Sequence, residues 1–456
     1  MNANSFLALG VIILTSCTRP DSLSKDRVAN VPIPKRYDTT VAPRLTVSSD
    51  LLSQFGDPIL RQYVKRALTN NRDLKSSFAR LAEAGYNFKS TKSPLLPNLT
   101  TNGNFSRRKF ANRFFYSIPP ENSFDLTFNT NWEIDIWKRI RSEVSASASE
   151  LQAARSDYAF ARQSIAAQIM QAYMKLTGLE QRLKLNRDNL VSFKKTLTLV
   201  NGLFVDGSSE LTDLNFARTD VENAKAKYFR LQNERDQAAR QLRTLTGDYA
   251  DKNLRTSGLP QLGKSIPAGL PSSLLIRRPD IDASYQRLRA ADTRITVAHR
   301  ALFPTFNLTA AGGRSALKLN ELSNSNFKVW NIVGGFSAPI FENGRLRNEL
   351  GAATKRAEKA YYDYQQIVLD AFREVENALG SELALSSQEK ATESALDAAR
   401  IAERGTLLDY EAGLVEILTL LEAQRRRFST EEALIQVKVL RRQNRISLAL
   451  ALAKAV

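Results

Sequence analysis

Two stretches of the chain alternate apolar and polar side chains with period two, and two far longer ones place apolar side chains every three or four positions. Phe124, Leu126, Phe128, Thr130, Trp132 and Ile134 share one face, opposite Asp125, Thr127, Asn129, Asn131 and Glu133. That is the pattern of a strand with one apolar and one polar side. Leu99 to Arg107, alternating around Gly103, predicts its hairpin partner across a polar loop that holds Pro119 and Pro120. A second hairpin is predicted from Phe306 to Arg314, a loop around Leu319 to Asn326, and Val329 to Phe341. There Trp330, Ile332, Phe336, Ala338 and Ile340 share a face interrupted by Gly334 and Gly335. Strands of about ten residues have the length of a tilted membrane crossing.

The helical pattern starts near Arg139 and reaches Phe204, through Leu151, Ala154, Tyr158, Ala161, Ile165, Ile169, Ala172, Leu176, Leu179 and Leu183 to Leu197 and Val200. No proline interrupts it. The counterpart starts near Leu346 and shows Leu350, Ala353, Ala357, Ala360, Tyr364, Ile367 and Ala371. Steps of three and four predict a narrow coiled-coil seam, and about 65 residues at 1.5 Å each make a rod of roughly 100 Å. Return helices are predicted over about 210–246 and 415–452, with shorter helices over about 54–69, 71–91 and 279–302. Pro94 and Pro97 end the second of these.

The two halves repeat at an offset of about 206 positions. Leu96-Pro97-Asn98-Leu99-Thr100 returns as Phe303-Pro304-Thr305-Phe306-Asn307-Leu308-Thr309, and Arg141-Ser142-Glu143 as Arg347-Asn348-Glu349. Phe204-Val205-Asp206-Gly207 returns as Tyr410-Glu411-Ala412-Gly413. A period this long exceeds solenoid repeats of about 20–50 residues and marks a duplicated half-protein. The organisation expected is a first repeat over 51–247 (β-hairpin 99–135, helical hairpin 139–246), a connector over 248–278, and a second repeat over 279–456 (β-hairpin 306–341, helical hairpin 345–453). Four strands do not close a barrel, and an open edge is not tolerated in lipid. Either the hairpins pack on soluble partners, or several chains contribute four strands each; three chains would give twelve.

The N-terminus adds an anchor. An apolar run from Phe6 to Leu14 leads into Leu14-Thr15-Ser16-Cys17, the pattern of a bacterial lipoprotein signal cut before an acylated cysteine. Cys17 is the only cysteine, so no disulfide forms within the chain and lipidation is its expected use. Residues 1–16 are then the signal peptide. Residues 17–50, with Pro20, Pro32, Pro34 and Pro43, form a lipidated tether. Thr18 after the cysteine permits sorting to the outer membrane.

Net charge is +18, with clusters such as Arg107-Arg108-Lys109, Arg277-Arg278 and Arg425-Arg426-Arg427. They are spread over every element without a recognition motif. Solvated faces, some meeting anionic lipid headgroups at a membrane rim, explain them better than nucleic acid. His299 is the single histidine, and no P-loop, GxSxG, HExxH or CxxC pattern occurs. A metal site needs several converging ligands, so neither a cofactor nor an enzyme is expected.

Three segments carry a family resemblance. Leu274-Leu275-Ile276-Arg277-Arg278-Pro279-Asp280-Ile281, with Ala290-Ala291, Arg294-Ile295 and Leu302-Phe303-Pro304 following, resembles the second-repeat signature of outer membrane efflux proteins. So do Pro339-Ile340-Phe341-Glu342-Asn343-Gly344-Arg345-Leu346, and Tyr410-Glu411-Ala412-Gly413 with Leu418-Thr419-Leu420-Leu421-Glu422-Ala423-Gln424. Together with the lipobox they are similar to the TolC-like, NodT-type lipoproteins of resistance-nodulation-division (RND) efflux systems.

The resemblance implies a mainly α protein with a transmembrane β part. It would be a homotrimer whose twelve-stranded β-barrel in the outer membrane continues into a long periplasmic α-helical barrel. It implies a passive exit duct for drugs or other small toxic compounds, served by an inner-membrane RND transporter and a periplasmic adaptor. Leu418 and Glu422 match the positions that narrow the periplasmic tip in this family. Four residues apart, they share a helix face, and in a trimer they give a ring of leucines and a ring of carboxylates. Their counterparts in the first repeat are Thr212 and Phe216, so the acidic ring belongs to the second hairpin alone. Glu411 stands in the turn where family members often carry a basic residue. Val205, Gly207 and Ser208 at one turn, and Ala412, Gly413 and Leu414 at the other, are the expected adaptor-docking tips. The rival readings are an exit duct for secreted proteins and a coiled-coil scaffold lipoprotein without a pore. Lipidation argues against the first, and the amphipathic hairpins against the second.

Overall fold

Asp57 starts the first helix by accepting the backbone N–H groups of Ile59 and Leu60 at 2.8 and 3.1 Å. With Pro58 at the first helical position it fixes α1 at Pro58–Asn70, a few residues later than the pattern predicts. The computed structural model describes residues 37–38, 52, 55–109, 119–262 and 277–453. Cys17, most of the expected tether, and Leu274 to Ile276 of the family signature lie outside them. The further elements are α2 (Arg72–Lys92), β1 (Asn98–Arg108), β2 (Glu121–Ile134), α3 (Arg139–Val205), α4 (Leu211–Leu245), α5 (Pro279–Arg300), β3 (Thr305–Ala316), β4 (Lys328–Ser337), α6 (Arg345–Glu411) and α7 (Ile417–Ala451).

The four strands form one antiparallel sheet in the order β1-β2-β3-β4. The central pairing, with Phe128 opposite Gly312 and Trp132 opposite Leu308, joins the strand that ends one hairpin to the strand that begins the other. β1 and β4 are left as open edges, so closure requires strands from other chains. β4 stops at Ser337, short of the predicted Phe341. Pro339 has no N–H to give to a ladder, and Ile340 and Phe341 are left 95% and 84% exposed. The connection between β3 and β4 contains two short 3-10 turns, Leu319–Ser323 and Ser325–Phe327.

The chain divides into two compact units that cut across the repeats. One gathers Arg80–Arg155 with Ala283–Gln366, and the other Ser156–Asp282 with Ile367–Val456 and Pro32–Ala79. In the strand-bearing unit, Trp132 donates its indole N–H to the Leu95 carbonyl and Trp137 to that of Pro304. Arg139 grips Glu133 with two hydrogen bonds. Ile295 of α5 packs with Ala353 and Ala357 of α6. Asp135 caps α3 by accepting from Ile140 and Arg141 N–H at 3.0 and 2.9 Å.

In the second unit α3 is buried well beyond a narrow seam. Ile165, Ala166, Ala167, Ile169, Met170, Tyr173, Met174 and Leu176 are all enclosed. The cause is that neighbours approach this segment from several directions. Tyr173 donates to Asp57 at 2.7 Å and accepts the Ser257 N–H at 3.0 Å. Gln171 reaches Ser447, and Gly178 comes so near α7 that a Cβ there would sit 2.4 Å from a Val439 methyl. Burial, foremost, pushes the Tyr173 phenol up to about 12, so it stays a neutral donor at any physiological pH. No described helix is long and apolar enough to cross a membrane.

Candidate functional site

Each long helix turns back through the same device. Gly207 and Gly413 adopt φ of 75° and 71°, the left-handed region where a glycine carries no Cβ penalty. The Ser208 N–H bonds the Leu203 carbonyl at 2.8 Å and the Gly207 N–H that of Phe204 at 3.1 Å. The second turn repeats this, with Leu414 on Asp409 at 2.8 Å and Gly413 on Tyr410 at 3.0 Å. Both are Schellman closures, which satisfy the last helical carbonyls. Val205 and Leu414 are left 75% and 74% exposed. Asp213 fastens the start of α4 by accepting the Glu210 N–H at 3.3 Å and the Ser209 hydroxyl at 3.0 Å. Partial burial, with Asp213 nearby, raises the pKa of Tyr410 above its ordinary value.

Behind the turns, Val200, Leu214 and Ala217 of the first helical hairpin form one apolar cluster with Ile417, Leu420 and Leu421 of the second. Phe193 and Phe428 meet edge to face with centroids 5.3 Å apart. Thr196 and Gln424 hydrogen-bond inside this contact. Arg425 pairs with Asp220 at 2.9 Å, and Glu432 takes both Lys227 and Arg182. Burial would raise the Glu432 pKa, but the hydrogen bonds and charges of Lys227 and Arg182 outweigh it and hold it below its ordinary value.

Leu418 and Glu422 stand on the other side of α7. While Ile417, Leu420, Leu421 and Gln424 are buried, Leu418 is 42% exposed and the Glu422 side chain 53%. One turn further on, Arg426 donates to Glu422 at 3.0 Å, with both groups solvated. The site is therefore a column of an apolar, an acidic and a basic side chain, where the sequence reading had only the first two. Arg426 was visible as a basic residue at i+4. The Asp220–Arg425 contact, between elements of different repeats, had no local signal.

The residues that carry the resemblance have structural work. Arg278 is buried, with two hydrogen bonds to Asp280 at 3.0 and 2.6 Å and one to Glu374 at 2.7 Å. Asn343 and Gly344, at φ of 48° and 81°, make the left-handed turn that launches α6.

Comparison with known proteins gives a consistent result. A family model described as "Outer membrane efflux protein" matches residues 63–248 and 270–454. The outer membrane protein OprJ of Pseudomonas aeruginosa is 30% identical over 416 residues, covering 89% of this chain and 86% of OprJ. The probable outer membrane lipoprotein SilC of Salmonella typhimurium is 25% identical over 436 residues, 92% of each. The solved structure of the outer-membrane channel OprN superposes with a TM-score of 0.88 at 28% identity, covering 96% of this chain and 99% of that one.

Proposed function

Because the chain belongs to the outer membrane efflux protein family, we propose that Leu418 and Glu422 form the gate of its duct. The protein is an outer membrane channel of an RND-type efflux system. It is a passive conduit for drugs or other small toxic compounds and not an enzyme. Its fold is that of the trimeric channels, in which three four-stranded sheets make one twelve-stranded barrel continuous with a helical barrel. The open edges of β1 and β4 are the edges that such closure removes.

One observation carries the gate: Leu418 and Glu422 present themselves together on the exposed face of α7 while its opposite face is filled by the first hairpin. Three copies around an axis give an apolar ring, which closes by dewetting, and a carboxylate ring, which selects by charge. The exposed turns at Val205, Gly207 and Ser208 and at Ala412, Gly413 and Leu414 are the surfaces for a periplasmic adaptor, which couples the duct to its inner-membrane transporter. Cys17, acylated, adds a lipid anchor. Repeats 51–247 and 279–456 then act as two staves per chain, with 248–278 as the band between them. Single-channel conductance of the purified trimer in planar bilayers tests the gate. Basal conductance is expected to be low and to rise in Leu418→Ala and Glu422→Ala. Conductance unchanged by both substitutions would place the constriction elsewhere.

A further inference from the structure

The strand registers sort every residue of the sheet into rows on two faces. One face is polar, through Thr127, Asn129, Asn131, Asn307 and Thr309; the other carries Phe124, Phe128, Trp330 and Phe336. In a transmembrane barrel the apolar face meets lipid and the polar face lines the water-filled interior. From the end where β2 leads into α3, the first four rows of the apolar face carry no charge, running as far as Thr101–Phe128–Gly312–Trp330. The next row is Gly103–Leu126–Arg314–Lys328, and the outermost is Arg107–Asn122. Among the described strand residues, Arg107, Arg314 and Lys328 are thus the only charged ones on the lipid side. All three are cationic, and all lie at the end away from the helices. A charge on the lipid face is costly at mid-membrane and nearly free at the interface, so this placement marks the outer headgroup level.

Among the described residues, none of the three cations forms an ion pair. Arg314 and Lys328 stand directly opposite each other in the ladder, an arrangement that repels. Arg314 donates one Nη1 hydrogen bond to the Leu322 carbonyl at 2.6 Å, which steadies the guanidinium and leaves its other donors available. Arg107 and Lys328 are exposed and form no ion pair among the described residues. Arg108, by contrast, falls on the polar face opposite Glu121. Aromatic rings border the cluster: Phe105 and Phe124 in contact at 4.7 Å between centroids, and Trp330, 78% exposed in one chain. Rings and cations thus alternate over the last four rows of this face, the mixture found in an interfacial belt.

We infer that Arg107, Arg314 and Lys328 form a binding site on the outer rim of the barrel for phosphate groups of outer-leaflet lipid. Guanidinium and ammonium donors match phosphate oxygens in charge and hydrogen bonding. An anion between Arg314 and Lys328 turns their repulsion into a shared attraction. The occupant is a lipid and not a free anion, because the cations sit on the face that contacts acyl chains.

The intact purified trimer, titrated with bis-phosphorylated lipid A and followed by native mass spectrometry, tests this. Lipid A stripped of its phosphates is expected to bind severalfold more weakly, and excess inorganic phosphate to leave bound lipid in place. At roughly fivefold per cation near an anionic surface, Lys328→Gln and Arg107→Gln each weaken binding about fivefold. The triple variant with Arg314→Gln weakens it roughly a hundredfold. The singles decide the matter if the triple variant does not assemble, and Arg108→Gln, on the polar face, is expected to bind as the parent does. Equal binding of phosphorylated and stripped lipid, or variants that bind like the parent, would overturn the proposal. Displacement by inorganic phosphate would reassign the cluster to free anions.

Discussion

Asp220 and Arg425 pair at 2.9 Å although they lie 205 residues apart. One heptad later in both helices, Lys227 meets Glu432, again 205 residues apart. Two such contacts make α4 and α7 parallel neighbours, and the offset is one short of the sequence repeat of about 206. A helix and its own duplicate therefore run side by side, and the charges are acid–base in the first contact and base–acid in the second. That alternation specifies the register, because a slip of one heptad brings like charges together.

Reversing one charge should expose this code. Asp220→Arg is expected to destabilise this part of the helical hairpins by about 3 kcal/mol, because Asp220 is buried and the substitution sets a second cation against Arg425. Adding Arg425→Asp should recover most of that loss. A double-mutant cycle on thermal unfolding checks it, and additive effects would deny the coupling.

Glu432 predicts a pH dependence. Its folded pKa is held below the ordinary value of 4.5, so the unfolded chain takes up its proton first as the pH falls. Its contribution is full well above 4.5 and is lost as pH drops through the lowered folded value. Glu432→Gln should cost about 2 kcal/mol at neutral pH by leaving Lys227 and Arg182 short of an anion. It should also flatten the acid limb of stability against pH, followed by circular dichroism. An acid limb identical to the parent's would remove Glu432 from the account.

Arg426 gives a test of selectivity. Arg426→Ala removes the cation one turn from Glu422, and cation preference is expected to rise severalfold, read as the reversal potential across a salt gradient. If the reversal potential does not move, Glu422 does not face the ion path.

The sheet offers a test of close approach. A Cβ on Gly313 would lie 2.1 Å from the Leu126 carbonyl oxygen, so Gly313→Ala must push β2 and β3 apart. A loss of about 3 kcal/mol is expected, seen as a lower temperature at which the trimer dissociates on electrophoresis. Gly103→Ala, with open space around it, should leave that temperature unchanged.

The sequence carried most of the local structure because local structure was written in period. Phe124 to Ile134 announced a strand, and the unbroken rhythm after Arg139 a very long helix. What it missed came from neighbours. The wide burial of Ile165 to Leu176 depends on what surrounds α3, and nothing near Asp220 in the chain names Arg425. Val329 to Phe341 kept its alternation past Ser337, but Pro339 ended hydrogen bonding there without disturbing the pattern. For the proposed gate, spacing put Leu418 and Glu422 on one face; only the packing of Leu420 and Leu421 shows that face to be the open one.

The paired turns, proposed above as docking surfaces, have a consequence for how a partner would recognise them. Gly207 and Gly413 let each helix end close its carbonyls on its own backbone, so an incoming protein finds few main-chain acceptors to claim. Whatever distinguishes one tip from the other must be spelled in side chains: Val205 and Asp206 at the first, Glu411 and Leu414 at the second. Such lettering can be rewritten without touching the scaffold that displays it. If adaptors dock at these turns as proposed, a lineage of ducts can change allegiance among them by a few surface substitutions, with the turns beneath them unaltered.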